Sequence, residues 1–247
     1  MRCVDLNADL GEGFPYDAQV MEHVTSVNIA CGAHAGTEET MRASIALALE
    51  KGACIGAHPG YEDRENFGRT DMDLSPSQVF DLVFKQVSTL SVLCTAQGAR
   101  MRHVKPHGQL YNRAAKDAVC AQAVAQAVRQ VDGSLRLVGL AGSKLLEAGA
   151  ASGLSVAGEF FADRNYLPDG SLVPRRQSNA CIADEDEALE RTVSAVQTGL
   201  VSAVDSTLVP VSFQTICIHG DNPKALAFAA RIRLALEGAG IAVLPPI

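Results

Sequence analysis

Six times in this chain an apolar run breaks into a polar, glycine-bearing turn that carries His, Asp, Glu or Lys. The segments are DLNADLGEG (5–13), SVNIACGAHAG (26–36), CIGAHPG (54–60), HVKPHGQLYN (103–112), AGEFFADRNY (157–166) and CIHGD (217–221). Stretches with the apolar period of helices separate them. Strands that end in reactive side chains gather those groups in one place when they run parallel and side by side. The carboxyl-end mouth of a parallel β/α barrel is where that arrangement is usually met. An open sheet would concentrate its site at one switch point, so polar ends on nearly every strand favour closure.

Strand-like runs fall at 3–10, 24–30, 53–57, 101–106, 135–140, 155–161 and 215–219. Most are short, rich in Val, Ile or Leu and followed by Gly, as expected for parallel strands covered on both faces. Between them, 37–51 places Met41, Ile45, Ala48 and Leu49 at helical spacing. Ser75 reads as an N-cap with Pro76 at the first helical position, followed by Val79, Leu82, Val83, Val87 and Leu90. Further helices are expected over 114–131, 185–204 and 223–237, the last stopping before Gly238. Seven strands alternating with helices, without a linker, predict one domain over 1–247 around a parallel sheet. The most loop-like segment, DGSLVPRRQSN (169–179), is expected to cover the mouth.

With 47% hydrophobic and 20% charged residues, the chain reads as a well-packed globular protein. A net charge of −7 and the absence of any basic run disfavour nucleic acid and anionic membrane surfaces as partners. The N-terminus meets Asp5 before any signal-type apolar stretch, and no run approaches the roughly 18 apolar residues that span a bilayer. Seven cysteines, odd in number and without a CxxC pair, argue against a disulfide framework and a zinc knuckle. The expectation is a reduced, cytoplasmic protein.

Strand one alternates sharply. Val4, Leu6, Ala8 and Leu10 fall on one face; Asp5, Asn7 and Asp9 fall on the other. Such a row inside a barrel is costly without partners, so it binds a metal, anchors a substrate or pairs with Lys or Arg from neighbouring strands. An exposed edge strand with a solvated face is the plain alternative. Glu12, in the Gly-flanked turn that follows, is a candidate general acid or base. Strand four repeats the pattern with His103, Lys105 and His107. Lys105 between two histidines could have its proton affinity lowered by like charge and desolvation, or it could neutralise Asp5 or Asp9.

His34 and His58 follow strands among small residues, and His219 with Asp221 repeats the arrangement. No HExxH or HxH occurs, so a metal site would need long-range assembly; Asp9, His34 and His58 are its candidate ligands. Glu159, Asp163 and Arg164 offer carboxylates with an Arg clamp, or an ion pair that only holds a loop. Arg69, Arg175 and Arg176 are candidates for gripping a substrate carboxylate. GLAGSK (139–144) lacks phosphate-loop spacing, GEGFP is no dinucleotide fingerprint, and no GxSxG is present.

Taken together, DLNADLGEGF, SVNIACGAHAG, GAHPGYEDRENFGR, VKPHGQLYN, EFFADRNYLPDGSLVPR and CIHGDNP resemble the LamB/YcsF family, the A subunits of 5-oxoprolinases, from Asp5 to about Leu236. The resemblance implies a distorted (β/α)7 barrel of the glycoside hydrolase/deacetylase type. It also implies ATP-dependent opening of the 5-oxoproline lactam to L-glutamate, in complex with B and C subunits. ATP would be shared with or bound by those partners; a divalent metal and homo-oligomerisation stay open. On this reading Asp9, Glu12, His58, Lys105, His107, Asp163 and His219 are the catalytic candidates. Asn7, His34, Arg69, Arg164 and Asp221 are the substrate-binding ones. The chain departs from the family pattern in a shorter segment after GEGF, in Thr37 where HAGD has Asp, and in Asn66 and Thr70 where GFGRR has Gly and Arg. A stand-alone metal-dependent deacetylase or amidohydrolase, and a non-catalytic substrate-binding subunit, are the alternatives.

Overall fold

A computed structural model describes residues 2–218 and 223–245. In chain order the elements are β1 (Cys3–Leu10), α1 (Asp17–Val20), β2 (Ser26–Ala30), α2 (Glu38–Lys51), β3 (Cys54–His58), α3 (Pro76–Ala96) and β4 (Met101–Val104). There follow α4 (Gly108–Lys116), α5 (Ala118–Val131), β5 (Arg136–Leu140), α6 (Lys144–Ala151), β6 (Ser155–Phe161) and α7 (Glu185–Thr198). The chain continues with β7 (Leu200–Ser202), β8 (Leu208–Pro210), β9 (Thr215–Ile218), α8 (Pro223–Gly238) and β10 (Ala242–Val243). Strands β1 to β6 and β9 are parallel neighbours in that order, and β9 pairs back onto β1, closing a seven-stranded barrel. Short β10 adds in parallel to the start of β1, and β7 with β8 forms a separate antiparallel hairpin.

Alternation along β1 works as the sequence pattern requires. Val4, Leu6, Ala8 and Leu10 join the apolar layer between barrel and helices, while Asp5 and Asn7 are buried inside the barrel. The edge-strand alternative is thereby excluded. Gly56 on β3 lets the interior hold a large polar ring, since a Cβ there would stand 2.1 Å from His103 Nε2. The β3–β4 register shifts at that point, between Ile55 and Gly56.

Two expected helices change, and one forms unannounced. The single helix expected over 114–131 is two, because the Asp117 carboxylate accepts from the N–H groups of Val119 and Cys120 and so caps α5. The one expected over 185–204 ends at Gly199, which takes the left-handed conformation (φ 72°) and hands the chain to β7. Helix α6 forms where no helix is expected. Helix α3 is long and apolar enough to cross a membrane by length and composition, contrary to the sequence expectation. Val79, Val83, Val87, Leu90 and Leu93 are nevertheless buried against the barrel and α5, as in an outer-ring helix.

Candidate active site

The barrel interior is a column of hydrogen-bonded polar layers. At its lower end Asp5 accepts from Thr25 (2.6 Å), Ser26 (2.7 Å) and Thr215. Burial raises the Asp5 pKa despite those three donors. One layer up, the Asn7 amide donates to Thr215 Oγ1 (2.7 Å) and Glu159 Oε1 (3.0 Å). The Asn28 amide donates to Asn7 Oδ1 (2.7 Å) and Asp9 Oδ1 (2.8 Å), and His103 Nε2 donates to Asn28 Oδ1 (2.8 Å). Burial, then the charge of Lys105, pushes His103 down to about 3, so it is neutral.

Lys105 forms the next layer. Its Nζ lies 2.8 Å from Glu159 Oε1 and 3.1 Å from each of Asp9 Oδ1, Asn7 Oδ1 and Cys217 Sγ. Burial opposes its charge, yet Asp9, Cys217 and Glu159 raise its proton affinity well above the ordinary value. The lowered affinity weighed from its position between two histidines is therefore not what forms; neutralisation of Asp9 and Glu159 is. Tyr111 completes the layer, donating to Glu159 Oε2 at 2.8 Å.

Above the column, groups from the ends of four strands converge at the mouth. Glu12 sits between Gly11 (φ 72°) and Gly13 (φ 94°), in a turn pinned by the Gly11 N–H donating to Asp17 Oδ2 at 2.8 Å. His34 comes from the loop after β2, His58 from the end of β3, and His107 from the segment after β4. Strand-like pairing persists beyond β4, where Lys105 N–H bonds Ala57 O and His107 N–H bonds Pro59 O, so Lys105 and His107 stay on the same side. Glu12 Oε1 lies 3.2 Å from His34 Nε2, 3.2 Å from His107 Nδ1 and 3.8 Å from His58 Nε2. His58 Nε2 is also 3.0 Å from His107 Nδ1 and 3.3 Å from Asp9 Oδ2.

Burial works against ionisation of Glu12, but its contacts with His107 and His34 hold it at about 2. Burial pushes His34 down to about 4, with Glu12 opposing. At His58 the penalty of burial is overcome by the Asp9 carboxylate, and the proton affinity rises. Glu12, His34, His58 and His107 place one ligand atom each within 4.8 Å of one another, so this group could hold a metal ion.

The segment between β3 and α3 roofs the group. Phe67 is one of the few non-glycine residues with a left-handed backbone (φ 57°), and its carbonyl accepts from His107 Nε2 at 2.8 Å. Its ring stands edge-on to His34 and His107, and the guanidinium carbon of Arg69, an exposed residue, lies over the ring 5.0 Å from the centroid. The adjacent Gly68 (φ 64°) is required because a Cβ would stand 2.8 Å from the His34 side chain.

Among the candidates, Asn7, Asp9, Glu12, His34, His58, Lys105 and His107 come together, with Arg69 at the rim. Arg164 does not reach this group; its guanidinium donates to Val173 O (2.6 Å) and Ala180 O (3.1 Å) and ties down the 173–180 loop. Asp163 precedes it beyond β6, and Arg175 and Arg176 lie exposed on that loop. His219 and Asp221 lie outside the described residues. Thr37, where the family pattern has Asp, caps α2 by accepting from Thr40 N–H. Sequence reasoning missed Asn28, Tyr111 and the Phe67 carbonyl. Asn28 was discernible as a lone amide among apolar residues in SVNIA; the other two carry no local signal.

The model of the LamB/YcsF family matches residues 4–247. A structure titled Lactam Utilization Protein, from Thermus thermophilus, is 40% identical, covers 99% of both chains and superposes with a TM-score of 0.92. A family 4 carbohydrate esterase from Streptomyces lividans, solved with acetate, is 13% identical over 98% of this chain and 91% of its own, with a TM-score of 0.46. With a closed parallel barrel, the polar interior row and the family match over nearly its whole length, the chain belongs to the LamB/YcsF family.

Proposed function

We propose that this protein is the A subunit of an ATP-dependent 5-oxoprolinase, opening the lactam of 5-oxoproline to L-glutamate with B and C subunits in the cytoplasm. Two things support the reading: membership of the family, and 40% identity to a protein titled for lactam utilization. The observation that carries it is Asp9, at the end of β1 and only 15% exposed in its side chain, facing the mouth beside His58. Asp9 Oδ1 accepts one charge-assisted bond from Lys105 and one bond from Asn28, which orient the carboxylate as a proton acceptor.

A lactam carbonyl is a poor electrophile. In the proposed reaction ATP phosphorylates the carbonyl oxygen and releases ADP. Water then adds to the carbonyl carbon, losing its proton to Asp9. The C–N bond breaks, the ring nitrogen takes that proton back, and a further water releases phosphate to leave glutamate. Arg69 at the rim is the candidate for the substrate carboxylate, whereas enclosed Lys105 serves Asp9 and Glu159.

The test is an ATP-dependent 5-oxoproline assay with and without the partner subunits. Asp9→Asn, folded as judged by its melting curve, should lower turnover at least a hundredfold, since one general acid–base group contributes about 10² to 10⁴ in rate. No glutamate release in any combination would remove the reading. A second reading, a stand-alone metal-dependent amidohydrolase, is favoured by the Glu12–histidine group; ATP-independent hydrolysis by this chain alone would select it.

A further inference from the structure

The four groups at the mouth can be sorted by which atoms carry hydrogens. His58 Nδ1 lies 2.7 Å from Lys105 O, and His107 Nε2 lies 2.8 Å from Phe67 O. A carbonyl oxygen only accepts, so both of those ring nitrogens are N–H donors. In the neutral rings the opposite atoms, His58 Nε2 and His107 Nδ1, then present lone pairs to each other at 3.0 Å. Glu12 Oε1 faces both, at 3.8 and 3.2 Å, and Asp9 Oδ2 faces His58 Nε2 at 3.3 Å. Acceptors converge here from four residues, and the surrounding Asp9, Glu12 and Glu159 carboxylates outnumber the single Lys105 ammonium. One proton bridges one pair of these atoms. A cation at their centre satisfies several at once.

We propose that Glu12, His58 and His107 form a two-histidine, one-carboxylate site for a divalent first-row transition ion, and that His34 supports this site without ligating. Imidazole and carboxylate are matched ligands for such ions, and three protein ligands leave positions open. The spacing fits. With bonds of about 2.1 Å, neighbouring ligand atoms stand roughly 3.0 Å apart at right angles and roughly 3.4 Å apart in a tetrahedron. The three separations are 3.0, 3.2 and 3.8 Å. The His58 and His107 ring planes meet at 85°, so their in-plane lone pairs can converge on one point.

His34 is different. Its ring is stacked on that of His107, 3.7 Å between centroids and 2° between planes. A point in the plane of the His107 ring lies over the face of His34, away from its lone pairs. His34 Nε2 instead donates to Glu12 Oε1 at 3.2 Å and orients that carboxylate. Both ligating rings are held by backbone carbonyls on their far nitrogens, the arrangement that fixes tautomer and direction in metal-bound histidines. At His107 the left-handed backbone of Phe67 presents that carbonyl. Asp9 stays outside the ligand set: its Oδ1 is held by Lys105 and Asn28, and the residues whose ligand atoms all lie within 4.8 Å of one another do not include it, so the set differs from the Asp9, His34 and His58 grouping expected from sequence.

The inference goes beyond the proposed reaction and is tested by binding alone. Chelator-treated protein should take up one equivalent of Zn2+ or Mn2+ in calorimetry and native mass spectrometry. Glu12→Gln and His107→Ala should each weaken binding at least a hundredfold. His34→Phe, which keeps the stacked ring but cannot ligate, should weaken it between tenfold and a hundredfold, as removal of an outer partner does. Should a ligand variant fail to fold, the wild type suffices: diamagnetic Zn2+ should move the ring 15N signals of His58 and His107 far more than those of His103. No uptake by the wild type would mean a shared proton and overturn the proposal. So would uptake unaffected by Glu12→Gln, or loss in His34→Phe as large as in His107→Ala.

Discussion

His103 makes the acid stability of the barrel measurable at one side chain. It sits inside the barrel, 3% exposed, under Lys105 and against Asn28. Burial, then Lys105, pushes it from 6.5 to about 3. A group depressed in the folded state withholds a proton that the unfolded chain accepts, so stability is fully present above pH 6.5 and is lost as pH falls toward 3. At pH 5 the unfolded chain has gained about 1.5 units' worth of proton binding that the native state lacks, which is about 2 kcal/mol at 1.36 kcal/mol per unit. His103→Gln removes the titration and keeps an amide donor for Asn28 Oδ1. Urea unfolding at pH 8 and pH 5 reads the difference. The wild type should lose about 2 kcal/mol more than the variant over that interval. His34, pushed down to about 4, titrates in both proteins and cancels from the comparison. Equal losses would refute the claim that His103 is held neutral inside the barrel.

Three further outcomes follow from other contacts. Lys105→Met should destabilise by about 3–5 kcal/mol in chemical denaturation, because Asp9 and Glu159 would keep buried charge without their cation. Gly56→Ala should abolish or severely impair folding, as its Cβ would overlap the His103 ring; pairing it with His103→Ala should recover soluble, cooperatively melting protein. Asp117→Ala should cost about 1 kcal/mol by removing the α5 cap, read as a lowered urea midpoint with unchanged activity.

Much of this is legible in the chain. Parallel strands buried on both faces announce themselves as short Val/Ile/Leu runs, and the alternation in β1 and around β4 is enough to place Asp5, Asn7, Asp9, His103, Lys105 and His107 on the inside. What stays hidden depends on distance in space. That Lys105 gains rather than loses proton affinity is decided by Asp9, Cys217 and Glu159, all remote from it along the chain. The break at Asp117 is a local contest between continuing one helix and capping the next, which apolar periodicity does not register. Likewise Arg164 beside Asp163 looks like a substrate clamp in sequence, while in space main-chain carbonyls of a single loop absorb its donors.

The layered hydrogen bonds of the barrel interior also bear on how this scaffold can be re-engineered. Thr215 hands Asn7 to Glu159, Asn7 accepts from Asn28, and Asn28 aims Asp9, so orientation is transmitted from the closed end to the mouth. A library built on wall positions would scramble several layers with every change. Diversity for new substrates belongs instead in the rim, around Phe67, Arg69 and Phe14, whose ring meets that of Phe67 edge-on at 6.1 Å between centroids, where shape can vary while the aim of Asp9 is inherited unchanged from below.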